Sequence, residues 1–296
     1  MSTWERHAHY YLSLLQSSVD DWQHVEKELG QIQRAWAWVS SKDGNEEFVL
    51  EYVWNLHTFL EKRGLWREAI EYQERGLAAA QALAMDHDQA MLLANIGWGW
   101  NALGDRERAQ RYLQQALDLA QRLGKRELQG GVLNSLGAVH LLRGEFERAF
   151  TYLREALTLR QAIGDRQGEA LVLTNIGEAY RYLGEDRQSL AYFEQALTIL
   201  NELNEETYQA TVLNNIASAH YALNQKSQAL DYYRCALALK REMGDRAGEV
   251  AVLNNIAAVS FSAGQLEQAL EYLSLIHISE PTRLLSISYA VLCLKK

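Results

Sequence analysis

Asparagine recurs along this chain on a fixed ruler. Asn55, Asn95, Asn175, Asn215 and Asn255 fall at multiples of forty residues from one another, with Ser135 in the remaining place of the series. Asn134, Asn214 and Asn254 stand one residue earlier, where Trp54, Ala94 and Thr174 fill the other copies. A carboxamide carries a donor and an acceptor side by side, so it matches the N–H and C=O of a peptide group. A ladder of such amides can hold an extended polypeptide by its backbone without reading its side chains. The same groups can instead be spent inside the molecule, on the backbone of an adjoining element. The residues alone leave both readings open.

Other chemistry finds less support. The chain has no His-Glu-x-x-His, Cys-x-x-Cys, Gly-x-Ser-x-Gly or Gly-x-x-x-x-Gly-Lys-[Ser/Thr] stretch. Those spacings would pair ligands on a metal, expose a nucleophilic serine, or wrap amides around a phosphate. His140 and His220 share a repeat position with Tyr180, which reads as packing rather than ligation. His7 and His9, two apart on an expected helix, do not share a face. The charged residues of "DRERAQR" and "GEFERAF" read as a solvated surface. No catalytic residue, cofactor or metal is expected, and the chain is expected not to be an enzyme.

The elements that must carry the amides follow from the same ruler. Leu93, Leu133, Leu173, Leu213 and Leu253 are forty residues apart, as are Tyr112, Tyr152, Tyr192, Tyr232 and Tyr272. Repeats are drawn at 50–89, 90–129, 130–169, 170–209 and 210–249, with a truncated sixth from Val250. Each reads as two helices: Leu173, Ile176, Gly177 and Tyr180 on the first, and Leu190, Phe193, Ala196, Leu197 and Leu200 on the second, at helical spacing. Gly104, Gly144, Gly184, Asn224 and Gly264 divide the two helices. Gly124, Gly164, Asn204 and Gly244 divide the units. Gly and Asn suit the left-handed residue that ends a helix. Small residues at Gly97, Gly137, Gly177, Ala217 and Ala257 let the two helices approach closely. One hairpin cannot bury its own apolar face but a row of them can, so a solenoid is expected.

The grammar N-I-G-x-A-Y…G…A…Y-x-x-A-L resembles the tetratricopeptide repeat, in copies of forty rather than about 34 residues. The long copies and their G-D-R-x-x-E links, Gly164 to Glu169 and Gly244 to Glu249, are similar to those of kinesin light chains, Pins-type adaptors and bacterial regulators. The resemblance implies an all-α, right-handed superhelical solenoid over residues 50–272 whose first helices line a concave groove. It implies further that Asn95, Asn134, Asn175, Asn214, Asn215, Asn254 and Asn255 hold a peptide or protein segment there. Neighbours such as Trp98, Glu178, Arg181, Tyr182, Tyr221 and Phe261 would select it. The expected function is that of a protein-interaction scaffold, adaptor or sensor.

Residues 1–49 read as a helical connector. "TWERHAHYYLSLLQ" and "DDWQHVEKELGQIQRAWAWVS" form two helices, the second capped by Asp20 or Asp21. Its R-H-x-x-Y-Y and Trp-rich segments resemble the connector that precedes long repeats in signal-transduction ATPases with numerous domains. The alternative function is therefore the sensing arm of such an ATPase, whose phosphate loop this stretch lacks.

The net charge of -9 repels phosphate backbones, so nucleic acid is not an expected partner. No run of about 18 apolar residues is present, so no membrane span is expected. The first residues lack the pattern of a signal peptide. Two cysteines, Cys235 and Cys293, form no disulfide framework, and a cytoplasmic location is expected. At the other end "LSLIHISEPTR" departs from the repeat, and Pro281, the one proline in the chain, stands where a helix should still run. From Leu273 or Ser274 to Lys296 the sequence resembles a translated transposase-end adapter used in sequencing libraries. The 273–296 tail is thus expected to be non-native and to replace further repeats.

Overall fold

The computed structural model describes residues 2–17, 22–42 and 44–279, with only the backbone of Trp22, Gln23 and 276–279. Among these residues there are fourteen α-helices and no strand. They are α1 (Thr3–Ser17), α2 (Trp22–Ser40), α3 (Glu46–Lys62), α4 (Trp66–Ala82), α5 (Asp86–Ala102), α6 (Arg106–Arg122), α7 (Arg126–Leu142), α8 (Phe146–Ile163), α9 (Arg166–Tyr182), α10 (Asp186–Leu203), α11 (Glu206–Ala222), α12 (Lys226–Glu242), α13 (Arg246–Ser262) and α14 (Leu266–Ser279). Asp20, Asp21 and residues 280–296, which hold the expected cap and most of the adapter-like tail, lie outside the described residues. The chain divides into two compact units, one ending at Ile163 and the other beginning at Gly164.

Within each unit the helices pair as hairpins, in the manner of an all-α repeat solenoid. The helix starts at 46, 86, 126, 166, 206 and 246 keep the forty-residue period. They fall four residues before the frame drawn from the sequence, since a repeat fixes its period and not its starting point.

The breaks are backbone devices. Gly104 ends α5 at φ 83°. Its N–H donates to the Asn101 carbonyl at 3.0 Å, and that of Asp105 to the Trp100 carbonyl at 3.0 Å. These paired bonds close the last turn around a left-handed residue. Asn204 and Asn224 do the same at φ 55° and 60°. The sequence reading missed Ala84, which takes the equivalent place at φ 52°, a conformation that disfavours any side chain bearing Cβ. After three of the breaks, the side chains of Asp105, Asp165 and Asp245 accept from Arg108, Gly168 and Gly248 N–H and cap the next helix.

The hairpins close on their small residues. A Cβ at Gly97 would lie 2.7 Å from Leu113 Cγ, one at Gly137 2.6 Å from Leu153, and one at Gly177 2.6 Å from Phe193. Leu113, Leu153 and Phe193 are themselves wholly buried. In the first unit α1 and α2 extend the same core. Ala8, Leu12, Ile32, Ala35 and Val39 join Val49, Tyr52 and Leu56 in one apolar cluster. Tyr52 donates to the Ala8 carbonyl at 2.6 Å, and Trp36 stacks on Tyr72 with centroids 4.4 Å apart. The expected connector therefore packs as a further hairpin of the first unit.

Candidate functional site

Ten of the thirteen candidate residues lie in the second unit, on three first helices: Asn175, Glu178, Arg181 and Tyr182 on α9, Asn214, Asn215 and Tyr221 on α11, and Asn254, Asn255 and Phe261 on α13. Helical spacing brings them to adjoining faces, and two hydrogen bonds join those faces. Asn215 Nδ2 donates to Glu178 Oε1 at 3.1 Å. Asn255 Nδ2 donates to Asn214 Oδ1 at 3.0 Å. The amides thus meet side chains of the preceding first helix, not the backbone of an adjoining hairpin. Among the described residues, neither Asn215 nor Asn255 makes a further side-chain hydrogen bond. Each keeps its Oδ1 and a second Nδ2 hydrogen. Asn254 is exposed, and Asn175 and Asn214 are half-buried.

A mixed cluster surrounds this pair of bonds. Glu178 is half-buried. Burial raises its carboxyl above the ordinary carboxylate range, opposed by the Asn215 hydrogen bond and the Arg181 charge. The Arg181 guanidinium lies 4.7 Å from the Tyr182 ring centroid, a cation–π contact. Ser218 Oγ donates to the Asn214 carbonyl at 3.0 Å and lies 2.9 Å from Tyr233 OH, which comes from the second helix α12. Burial raises the Tyr233 phenol, and Arg181 and Tyr221 are both close enough to act on it. Three large rings stand open to solvent on successive first helices: Tyr182 at 48%, Tyr221 at 38% and Phe261 at 45% exposure.

Ser218 and Tyr233 were not singled out from the sequence. Their signal is a departure from the repeat. Tyr233 occupies the place of Leu113, Leu153 and Phe193, and so brings a hydroxyl where those three bring only carbon; Gln73 is the other polar residue in this series.

The first unit holds Asn95 on α5 and Asn134 on α7, both half-buried. Its other members of the series turn to their own helices: Asn55 Nδ2 donates to the Glu51 carbonyl at 2.7 Å, and Ser135 Oγ to the Gly131 carbonyl at 3.1 Å. Trp98 is open to solvent.

The two repeat-position histidines pack, as expected. His140 and His220 are 1% and 5% exposed. Each stacks on a tyrosine, Tyr152 or Tyr232, with centroids 5.2 Å apart, as Tyr180 stacks on Tyr192 at 5.3 Å. His140 Nδ1 lies 2.7 Å from Glu145 Oε2, and His220 Nδ1 2.7 Å from Gln225 Oε1. Among the described residues, no group of three or more His, Cys, Asp or Glu is placed to hold a metal ion. No described helix is long and apolar enough to cross a membrane.

Comparison with known proteins agrees with this architecture. A tetratricopeptide-repeat family model matches residues 49–122, 128–202 and 187–242, together more than half of the chain. No curated protein sequence matches. Among solved structures the chain is similar to a Rap protein complexed with Competence and Sporulation Factor, with a TM-score of 0.66 and 13% identity over 90% of this chain and 85% of that one. It is also similar to a signal-transduction ATPase with numerous domains and a tetratricopeptide-repeat sensor from Pyrococcus horikoshii, with a TM-score of 0.64 and 14% identity over 93% of this chain. It spans only 42% of that ATPase. A third likeness is to a putative kinesin light chain of nearly identical repeats from Podosopora anserina, with a TM-score of 0.51 and 15% identity over 67% of this chain and 94% of that one. At such identities the likeness is one of fold. The matched family model, the forty-residue helical hairpins and their glycine-ended turns together place the chain in the tetratricopeptide-repeat family.

Proposed function

We propose that the joined faces of α9, α11 and α13 bind an extended peptide or protein segment. On this reading the protein acts by that binding, as a scaffold, adaptor or sensor in the cytoplasm, rather than by catalysis. The observation that carries the reading is the state of the amides. Asn215 and Asn255 are each fixed by one hydrogen bond, at 3.1 Å and 3.0 Å, and each still offers a donor and an acceptor. A rigidly held amide loses little freedom on meeting a peptide group, which lowers the cost of association. Exposed Asn254 adds another amide, and Tyr182, Tyr221 and Phe261 supply the apolar area that an amide ladder lacks. Asn95 and Asn134 are proposed to act in the same way within the first unit.

The test is selection from a random peptide library displayed on phage. Selected peptides should lose about tenfold in affinity when one backbone N–H is methylated at the contacted position, the size of one hydrogen bond. Asn254→Ala should weaken them while leaving the melting temperature within about 2 °C, because an exposed amide contributes little to the fold. A library that yields no specific peptide refutes the reading.

The second reading makes this face the sensing arm of a larger signalling ATPase. It is favoured by the extent of the likeness to the Pyrococcus horikoshii protein, which reaches 93% of this chain. A phosphate-loop motif encoded upstream in the same frame would support it, and an in-frame stop codon would refute it.

A further inference from the structure

We infer that the segment bound by the second unit presents a lysine or arginine side chain to Glu178, which selects it. The inference rests on the peptide-binding reading above. Position 178 is the one place in its series that carries a charge: Thr58, Trp98, Ala138, Ser218 and Ala258 occupy the others. A carboxylate there is not needed to build the hairpin, since small or apolar residues serve in the other copies.

The carboxylate is also under-compensated. It is half-buried, and its hydrogen bond comes from the neutral Asn215 amide, onto Oε1. Among the described residues Glu178 forms no ion pair. The nearest candidate, Arg181, lies one turn away on the same helix with its guanidinium over the Tyr182 ring. A partly desolvated charge that makes no direct ion pair is unfavourable, and an incoming cation relieves it. Burial holds the carboxyl above its ordinary range even against the Arg181 charge and the Asn215 hydrogen bond.

Arg181 is a weaker selector. It keeps its charge in any surroundings and already has an aromatic partner. The exposed Tyr221 and Phe261 rings, on the following first helices α11 and α13, favour an apolar residue in the same segment.

The experiment compares one phage-displayed random library on the wild-type protein and on Glu178→Gln. Gln keeps an acceptor for Asn215 and removes only the charge. Wild-type selections should converge on Lys or Arg at a fixed spacing from an apolar residue, and selections on the variant should lose that preference. A selected peptide resynthesised with norleucine for its lysine should bind wild type about tenfold or more weakly and bind the variant unchanged, the size of one charge-assisted contact. Peptides enriched without a basic residue, enriched in acidic residues, or equally weakened by norleucine on both proteins would overturn the inference and leave segment binding standing. No enrichment on wild type would remove segment binding and this inference with it.

Discussion

Adding one methyl group at Gly177 should loosen the α9–α10 hairpin, whereas the same change at Gly30 should tighten α2. A Cβ at Gly177 would stand 2.6, 2.7 and 3.1 Å from three atoms of the Phe193 ring. Carbon atoms rest near 3.5–4.0 Å, so the ring or the helix must withdraw by about 1 Å. Phe193 is wholly buried, so its ring cannot simply swing into solvent. Overpacking of this kind costs about 1–3 kcal/mol. Removing a helical glycine returns about 1 kcal/mol, so Gly177→Ala should destabilise by a net of up to about 2 kcal/mol. Gly30 has nothing within 4 Å of its would-be Cβ, so Gly30→Ala should yield the propensity gain alone, about 0.5–1 kcal/mol. Because stability in repeat arrays is largely local, the assay is hydrogen exchange read helix by helix, beside a urea titration. Protection in α9 and α10 should fall, by up to about thirtyfold, in the first variant, and protection in α2 should rise in the second. In a Phe193→Leu background the Gly177→Ala penalty should shrink by about half or more, since the shorter side chain can retreat. If Gly177→Ala raises protection as Gly30→Ala does, close approach at the small-residue positions is not what sets the hairpin spacing.

Further outcomes are expected elsewhere. Ala84→Gly should raise the urea midpoint by the equivalent of about 0.5–1 kcal/mol, because it relieves a left-handed alanine. An Asn214→Ala and Asn255→Ala double-mutant cycle should give a coupling of about 0.5–1.5 kcal/mol for the hydrogen bond that joins α13 to α11, and additive effects would deny it. Asp245 has its carboxyl held below the ordinary 3.8. Burial pushes it up, but the Lys240 and Gly248 hydrogen bonds outweigh that. Its contribution is complete above the unfolded value and is lost as pH falls through the folded one. Thermal melts between about pH 5 and about pH 2 should therefore fall more steeply for wild type than for Asp245→Asn. Glu178 has the opposite sign. A raised carboxyl is penalised only where it must ionise, so Glu178→Gln should leave melting unchanged below the ordinary 4.5 and stabilise the protein as pH rises past it.

Much of the architecture is legible in the residues because it is written many times. The left-handed breaks at Gly104, Asn204 and Asn224 follow from residue type and spacing, since few residues tolerate that conformation. Ala84 escaped notice because it breaks the residue rule while keeping the place. The helicity of residues 3–17 and 22–40 was readable, yet the docking of Trp36 on Tyr72 was not, because nothing in either helix names its partner. Likewise Tyr233 is a one-residue departure from its series, and only the packing of α11 on α12 turns it into a partner for Ser218.

The sequence by itself determined the period, the paired helices, their breaks and the small residues at their crossings. Each of these is a sum over many positions of apolar burial, which has no direction and repeats faithfully. Only the tertiary structure decided where the amides go. Asn215 reaches back 37 residues to Glu178, whereas Asn255, at the same place in its repeat, reaches back 41 to Asn214. A hydrogen bond depends on angle and on fractions of an ångström. A ruler of forty residues cannot say which of two neighbours on the next helix will meet it.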